Sequence, residues 1–293
     1  MTLILVIGDG PSTRQLTQAF ESQGATVAVR SPMALSVSMS GEGANFDLPT
    51  GVQAVVVKKL GDLTDPLSRE RVTWLQDLSV PVFNSAEVIA CLTHRWRMTQ
   101  RFAALGLPIP TTWVGTDVDA AMRWIQSVGD VVVKPLFTTK ARGMVRLNAE
   151  NAAHWRSLLL SFQSNLSQPF YCQVFVPNAG EDVGVCMVGG QPICAYRRMA
   201  APGAWQTTTH AGGSYAPFDL TEELKTLCMK AHRVFPTDFT TLDWVQSTDG
   251  HWYLYEMSPF GGFRGAWEAC GRNIASDIAR HVLSHLPVAQ VPA

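Results

Sequence analysis

Residues 240–246 and 251–257 are two strand-like runs, rich in Thr, Val, Trp, Tyr and Leu, with Ser247-Thr248-Asp249-Gly250 between them. Asp-Gly suits the positive φ angles of a tight turn, so the sequence predicts a β-hairpin. Two registers satisfy it. A two-residue turn at Asp249-Gly250 puts Asp243 directly opposite Glu256. A four-residue loop over 247–250 puts Asp243 opposite Leu254, with Glu256 as a diagonal neighbour. In both registers Asp243, Glu256 and Ser258 share a face with Val245, Trp252 and Leu254, and Leu242, Trp244, Tyr253, Tyr255 and Met257 share the other. A hairpin apolar on both sides belongs inside a protein, and two carboxylates close together there need a cation. Oxygen donors without a nearby His or Cys point to Mg²⁺ or Mn²⁺ rather than zinc. Two acids at a wet strand edge, without a role, is the competing reading.

The rest of the chain must supply what surrounds such a hairpin. At 293 residues, 46% of them hydrophobic, it can build a large core and about two domains. A formal charge of −1, from 23 basic and 24 acidic residues, removes the electrostatic case for a general nucleic-acid or membrane-surface binder. Six cysteines without close paired spacing read as single buried thiols in a reducing compartment. The apolar run Leu3–Ile7 is too short for a signal peptide or a membrane span, and no longer one follows. The expectation is a soluble, cytoplasmic protein.

Leu3–Ile7, a helix over 13–22 ended by Gly24, and a strand over 26–29 form the β-α-β opening of an open α/β sheet. It is not a dinucleotide fingerprint, because Thr13 stands where the third glycine belongs, and no Gly-x4-Gly-Lys-Ser/Thr loop occurs. Residues 31–50 are Ser/Gly-rich and read as loop, Val52–Val57 as strand, 67–78 as helix and 80–83 as strand. Asn84 with Glu87 three residues on resembles a capping box, and a second helix spans 93–105. Amphipathic helices follow around Ile125 and around Leu159, then strands over 170–176, 182–188 and 193–198, a long loop over 199–213, and helices around Cys228 and Ile278. The tail over 287–293 is expected to fray.

Lys134 ends the apolar run 131–133, so its amine leaves the core at a sheet end or meets an anion. The loop Thr138-Thr139-Lys140-Ala141-Arg142-Gly143 after it offers hydroxyls, N–H groups and two cations, as a flap over phosphates or as a solvated hairpin. Arg95 stands near a helix start, where a cation opposes the macrodipole unless an anion is present; an exposed helix arginine is the other reading. The histidines are scattered without metal spacing, and no Ser-His-Asp or Cys-His arrangement is present.

Taken in order along the chain, the Lys134-Pro135 loop, the strand over 173–176 and the Asp243…Glu256-x-Ser258 hairpin resemble the ATP-grasp superfamily, and within it the RimK-like ligases that add glutamate to carboxyl ends. The likeness spans residues 84–286. It implies an ATP-grasp fold, α/β overall and α+β in the C-terminal part, behind a Rossmann-like pre-ATP-grasp domain. The implied boundaries are 1–92 for that N-terminal domain, 93–170 for a central subdomain with a phosphate-covering loop, and 171–293 for a C-terminal subdomain with the metal site. The resemblance assigns ATP phosphates to Arg95, in place of a family lysine, and Lys134. It assigns adenine to the backbone of Gln173, Val174, Phe175 and Val176, further nucleotide contacts to Asp182, Gln206, Thr207 and Thr208, and Mg²⁺ or Mn²⁺ to Asp243, Glu256 and Ser258. Val174 replaces an acid, Gly184 an arginine, Gln206 and Thr208 an Arg and an Asn, and Ser258 an Asn.

The implied reaction is ATP-dependent ligation of a small-molecule carboxylate to an amine, such as glutamate, through an acyl phosphate, with Arg198 and Lys134 as catalytic cations. An ATP-grasp kinase or a nucleotide-binding regulator without ligase activity is the alternative, motivated by Ser258 and Gly184. Arg264, in a glycine-flanked loop, is the candidate for a substrate carboxylate. Trp205, Trp244, Trp252 and Trp267 either line the site or belong to the core. A homo-oligomer without nucleic-acid or membrane partners is expected.

Overall fold

The computed structural model describes residues 2–41, 43–137, 141–166 and 168–286. The expected flap residues Thr138, Thr139 and Lys140 and the 287–293 tail lie outside the described residues. Chain order is β1 (Leu3–Ile7), α1 (Pro11–Glu21), β2 (Thr26–Arg30), β3 (Val37–Ser40), β4 (Gly43–Phe46), β5 (Val52–Val57), α2 (Pro66–Trp74), β6 (Val82–Phe83), α3 (Ala86–Leu92) and α4 (Arg95–Ala104). Next come β7 (Thr112–Gly115), α5 (Val118–Val128), β8 (Val131–Lys134), β9 (Val145–Leu147), α6 (Trp155–Leu166) and β10 (Phe170–Val174). The last part holds β11 (Glu181–Val188), β12 (Gln191–Met199), β13 (Ser214–Pro217), α7 (Glu222–Val234), β14 (Phe239–Gln246), β15 (Trp252–Ser258), α8 (Arg264–Cys270) and α9 (Ile274–Ser284).

Three larger sheets result. The first is parallel, ordered β2-β1-β5-β6. Its inner strands are the continuous apolar runs LILVI and VQAVVV, as expected where both faces are covered. The second is antiparallel, β7-β10-β8-β9, and its core joins Val131, Val133, Phe170 and Cys172 to Ile125 of α5 and Leu159 of α6. The third is antiparallel, β13-β12-β11-β14-β15. One of its faces packs on Met98 and Phe102 of α4 and Leu224 and Cys228 of α7. The other shares a core with the first sheet through Ile274, Ile278 and Val282 of α9. The molecule is mixed α/β, with the third sheet joined to both other parts. No helix among the described residues is long and apolar enough to cross a membrane.

Three local expectations are corrected. Residues 31–50 are not all loop, because β3 and β4 pair as a hairpin, Val37 opposite Phe46; their polar, exposed side chains hid the strand pattern. Asn84 does not cap α3; Ser85 does. Asn84 is instead fully buried, its amide donating to the carbonyls of Phe239 and Pro259 and accepting from the N–H of Asp238. All six cysteines are free thiols, but Cys270, at the end of α8, is exposed rather than buried.

Candidate active site

The β14–β15 hairpin realises neither predicted register by itself. Gln246 pairs with Trp252, so the loop runs over 247–251, one residue longer than the longest expected. The pairing then shifts between Trp244↔Leu254 and Asp243↔Glu256, leaving Tyr255 as an extra residue. This bulge restores Asp243 opposite Glu256 and inverts the alternation before it. Trp252 and Leu254, expected on the carboxylate face, therefore join Leu242, Trp244 and Met257 in the core. Tyr255, expected on the opposite face, lies with its ring 4.6 Å from Lys134 Nζ. Trp244 and Trp252 are thus core residues, and Trp267 is exposed on α8.

A row of residues crosses the third sheet at this height: Tyr196, Gly184, Asp243 and Glu256, each paired with the next. Gly184 has no side chain, and the Tyr196 ring takes its place. A Cβ on Gly184 would lie 2.6 Å from Tyr196 Cζ, and one on Gly265 would lie 2.2 Å from Cε2, so the ring is wedged between sheet and α8. Two pairs further on, Arg198 opposes Asp182. Its Nε donates to Asp182 Oδ1 at 2.5 Å and its Nη2 lies 3.0 Å from Asp243 Oδ2, while Thr207 Oγ1 donates to Asp182 Oδ2 at 2.7 Å. Burial raises the Asp243 carboxyl to about 6, with Asp182 and Glu256 adding to the rise and Arg198 opposing it. Burial also raises the Tyr196 phenol well above its ordinary value, so it stays protonated.

Two cations arrive from the other side. Arg95, the first residue of α4, is buried; its Nε donates to the Pro135 carbonyl at 3.0 Å and its Nη1 to Glu256 Oε2 at 2.7 Å. A cation at a helix start is tolerated here because this carboxylate offsets the macrodipole. Lys134 is buried at the end of β8 and donates to Gln173 Oε1 at 2.6 Å. Burial, helped by Arg95, pushes its amine down to about 7, with Glu256 and Asp243 opposing.

The remaining predicted residues are less concentrated. Val174 ends β10, so the strand expected over 173–176 stops there, and Phe175 follows it; their N–H groups already donate to the carbonyls of Thr111 and Asp130. The Phe175 ring carries the Arg146 guanidinium 3.6 Å above it, and the Val176 carbonyl accepts from Asn178. Gln206 and Thr208 make no side-chain hydrogen bond among the described residues. Ser258 opposes Thr241 on the row next to Asp243 and Glu256, and its Oγ accepts from the Phe260 N–H at 3.3 Å. Arg264 does not sit in a flexible loop. It opens α8, with its side chain 63% exposed and Nε 2.5 Å from Glu268 Oε1.

Sequence reasoning missed the support of the loop after Ser258. The Pro259 carbonyl accepts from Asn84, those of Phe260 and Gly261 from Lys58 Nζ, and that of Gly262 from Cys186 Sγ. The Gly262 N–H donates to Thr241 Oγ1 at 2.7 Å. Lys58, directly after β5, is buried beside the rings of Phe239 and Phe263, and burial lowers its amine to about 7. A lysine after an apolar strand, the signal noticed at Lys134, is also present at Lys58.

The donor set suits a hard divalent cation. Asp243 and Glu256 each give one oxygen to an arginine, and the other oxygen of each has no hydrogen-bond partner among the described residues.

The chain is similar to known proteins in sequence and fold. The family described as prokaryotic glutathione synthetase, ATP-grasp domain, matches residues 98–238. A tetrahydromethanopterin:alpha-L-glutamate ligase of Methanosarcina acetivorans is 30% identical over 175 residues, 57% of this chain and 54% of that protein, so the match spans about half of that relative's length. A probable alpha-L-glutamate ligase of Xanthomonas euvesicatoria pv. vesicatoria is 24% identical over 276 residues, 92% of each chain. The solved structure of the ATP-grasp ligase PsnB, complexed with a phosphomimetic variant of its minimal precursor, Mg and ADP, superposes with a TM-score of 0.72 at 21% identity, covering 96% of this chain and 97% of that one.

Proposed function

We propose that the chain is a member of the ATP-grasp superfamily and an ATP-dependent carboxylate–amine ligase, whose site is the Asp243–Glu256 row and the cations around it. The observation that carries the reading is the convergence of Lys134, Arg95 and Arg198 on two directly opposed, half-buried carboxylates. A highly charged reactant is the partner that such a concentration of charge suits. The substrate carboxylate attacks the γ-phosphorus of ATP, forming an acyl phosphate and releasing ADP. The amine then attacks the acyl carbon, and phosphate leaves as the amide forms. Mg²⁺ or Mn²⁺, when bound, neutralises phosphate charge; Asp243, Glu256 and Ser258 are the residues that would hold it.

The chain's own groups do the rest. Lys134, poised near neutrality in its buried position, takes full charge when phosphate oxygens arrive. Arg95 holds Glu256 and the Pro135 carbonyl together, tying the carboxylate to the segment that carries Lys134. Arg198, fixed by Asp182, presents its charge beside Asp243, where the oxyanion of the acyl phosphate or the tetrahedral adduct develops. Thr207 orients Asp182, and the segment 173–176, at the end of β10, is the adenine platform. We read residues 1–92 as the pre-ATP-grasp unit, 93–170 as the central subdomain and 171–293 as the metal-bearing subdomain. Arg264 is the group for a substrate carboxylate, reached by exchanging Glu268. The acid is a small molecule, and the amine an amino acid of the glutamate type, by likeness to the alpha-L-glutamate ligases.

Hydroxylamine tests the reaction class. With Mg-ATP and candidate acids, a ligase yields an acyl hydroxamate, whereas an ATP-grasp kinase acting on a hydroxyl yields none. Glu256→Ala tests the site: ADP formation at the wild-type rate with the same acid would sink the assignment.

A further inference from the structure

Each carboxylate of the Asp243–Glu256 pair is already matched by an arginine. Arg95 Nη1 lies 2.7 Å from Glu256 Oε2, and Arg198 Nη2 lies 3.0 Å from Asp243 Oδ2 while its Nε holds Asp182. Lys134 immediately precedes Pro135, whose carbonyl Arg95 holds, and its Nζ lies 4.6 Å from the ring of Tyr255, next to Glu256 in the chain. Three acids (Asp182, Asp243, Glu256) thus meet three cations (Arg95, Arg198, Lys134), and the half-buried cluster is formally neutral. Both arginines are fixed from elsewhere, Arg95 by the Pro135 carbonyl and Arg198 by Asp182. Neither is a loose surface charge that an ion could push into solvent.

A divalent cation entering this cluster alone must lose its hydration shell and receives no net charge in return. It also lacks ligands, because no group of three His, Cys, Asp or Glu side chains able to hold a metal gathers among the described residues. Mg²⁺ in such sites completes its shell with phosphate oxygens and water. A polyphosphate brings both missing things, ligands for the cation and negative charge for Arg95 and Lys134.

We infer that Arg95 and Arg198 are resident counterions that close the Asp243–Glu256 pair to a free divalent cation and admit one only in company with a polyphosphate. Arg95 is then a positioning residue with two opposed effects. It disfavours bare metal by neutralising Glu256, and it favours metal–nucleotide by adding positive charge beside the phosphates. The inference rests on the ligase reading for the identity of the polyphosphate, but not for the charge balance.

Mn²⁺ provides the probe, with the free ion followed by electron paramagnetic resonance and binding by calorimetry. Wild-type protein should bind no Mn²⁺ up to about 1 mM in the absence of nucleotide, and should bind it with ADP. Arg95→Met should bind bare Mn²⁺ at least about tenfold more tightly than wild type and Mn·ADP about tenfold more weakly. Those changes have opposite signs, whereas general damage to packing weakens both. Arg95→Lys, which keeps the charge, should retain the wild-type exclusion of bare Mn²⁺. Arg198→Met should also gain bare Mn²⁺ affinity, through Asp243, and serves if Arg95→Met does not fold. Micromolar binding of bare Mn²⁺ by the wild type overturns the inference without needing any variant. So does a folded Arg95→Met or Arg198→Met with unchanged or weaker bare-metal affinity. Absence of Mn·ADP binding in the wild type overturns the ligase reading, and the inference with it.

Discussion

Two arginine–carboxylate contacts of nearly equal length mark the two ends of the site as proposed above. Arg95–Glu256 is 2.7 Å long with its side chains 6% and 26% exposed, and Arg264–Glu268 is 2.5 Å long with its side chains 63% and 43% exposed. Geometry alone would rate them equal. Solvent separates them: breaking a buried pair strands a charge in a poor dielectric, while water replaces the partner of an exposed one. The buried end is built to be permanent, and the exposed end is free to exchange its partner for a ligand. That contrast fits a metal–phosphate end held rigid and a substrate end that must adapt.

Removing a charge from the buried end should have the largest effect. Arg198→Ala leaves Asp182 and Asp243 without their shared cation and should lower unfolding free energy by about 3–5 kcal/mol, measured by urea titration. A loss below about 1 kcal/mol would put the two ends on the same footing. Next in size is Gly265→Ala, whose new Cβ meets the ring of Tyr196 rather than a flexible tip. It should cost about 1–3 kcal/mol, and combining it with Tyr196→Ala should recover part of that loss.

The pH dependence probes the buried lysines. Lys58 and Lys134 have folded values lowered to about 7, below their ordinary value, so between that pH and the unfolded value the unfolded chain binds more protons. The two amines therefore contribute stability that rises with pH from about 7 towards about 10. Lys58→Met should flatten that rise; an unchanged slope would mean the amine is not desolvated in solution. The smallest stability effect is expected at Arg264→Ala, under about 1 kcal/mol. Its KM for the acid or amine substrate should nevertheless increase, with the KM for ATP unchanged. An unchanged KM for both substrates would remove Arg264 from the site.

Much of this was legible in the residues. The apolar runs of β1, β5 and β8, the helix stripes around Ile125 and Ile278, and the Asp-Gly signal between β14 and β15 reflect local periodicity and turn chemistry, which act over a few neighbours. Lys134 at a strand end and two acids on one hairpin were recognisable as groups that need partners. The bulge at Tyr255 was not, because nothing in the β15 run distinguishes one extra residue from regular alternation. The role of Asn84 was misread for a similar reason: its local spacing suits a cap, but its partners are more than 150 residues away in sequence.

The chain by itself determined which residue types had to find an opposite charge, since a buried Lys134, Asp243 or Glu256 is costly in any fold. Only the tertiary structure decided which charges met. Arg95 reaches Glu256 across 161 positions and Lys58 reaches Phe260 across 202, contacts set by how three sheets pack and not by any spacing along the chain. The hairpin's carboxylates are written locally; their neutralisation is not, because Coulomb attraction and desolvation depend on distance in space.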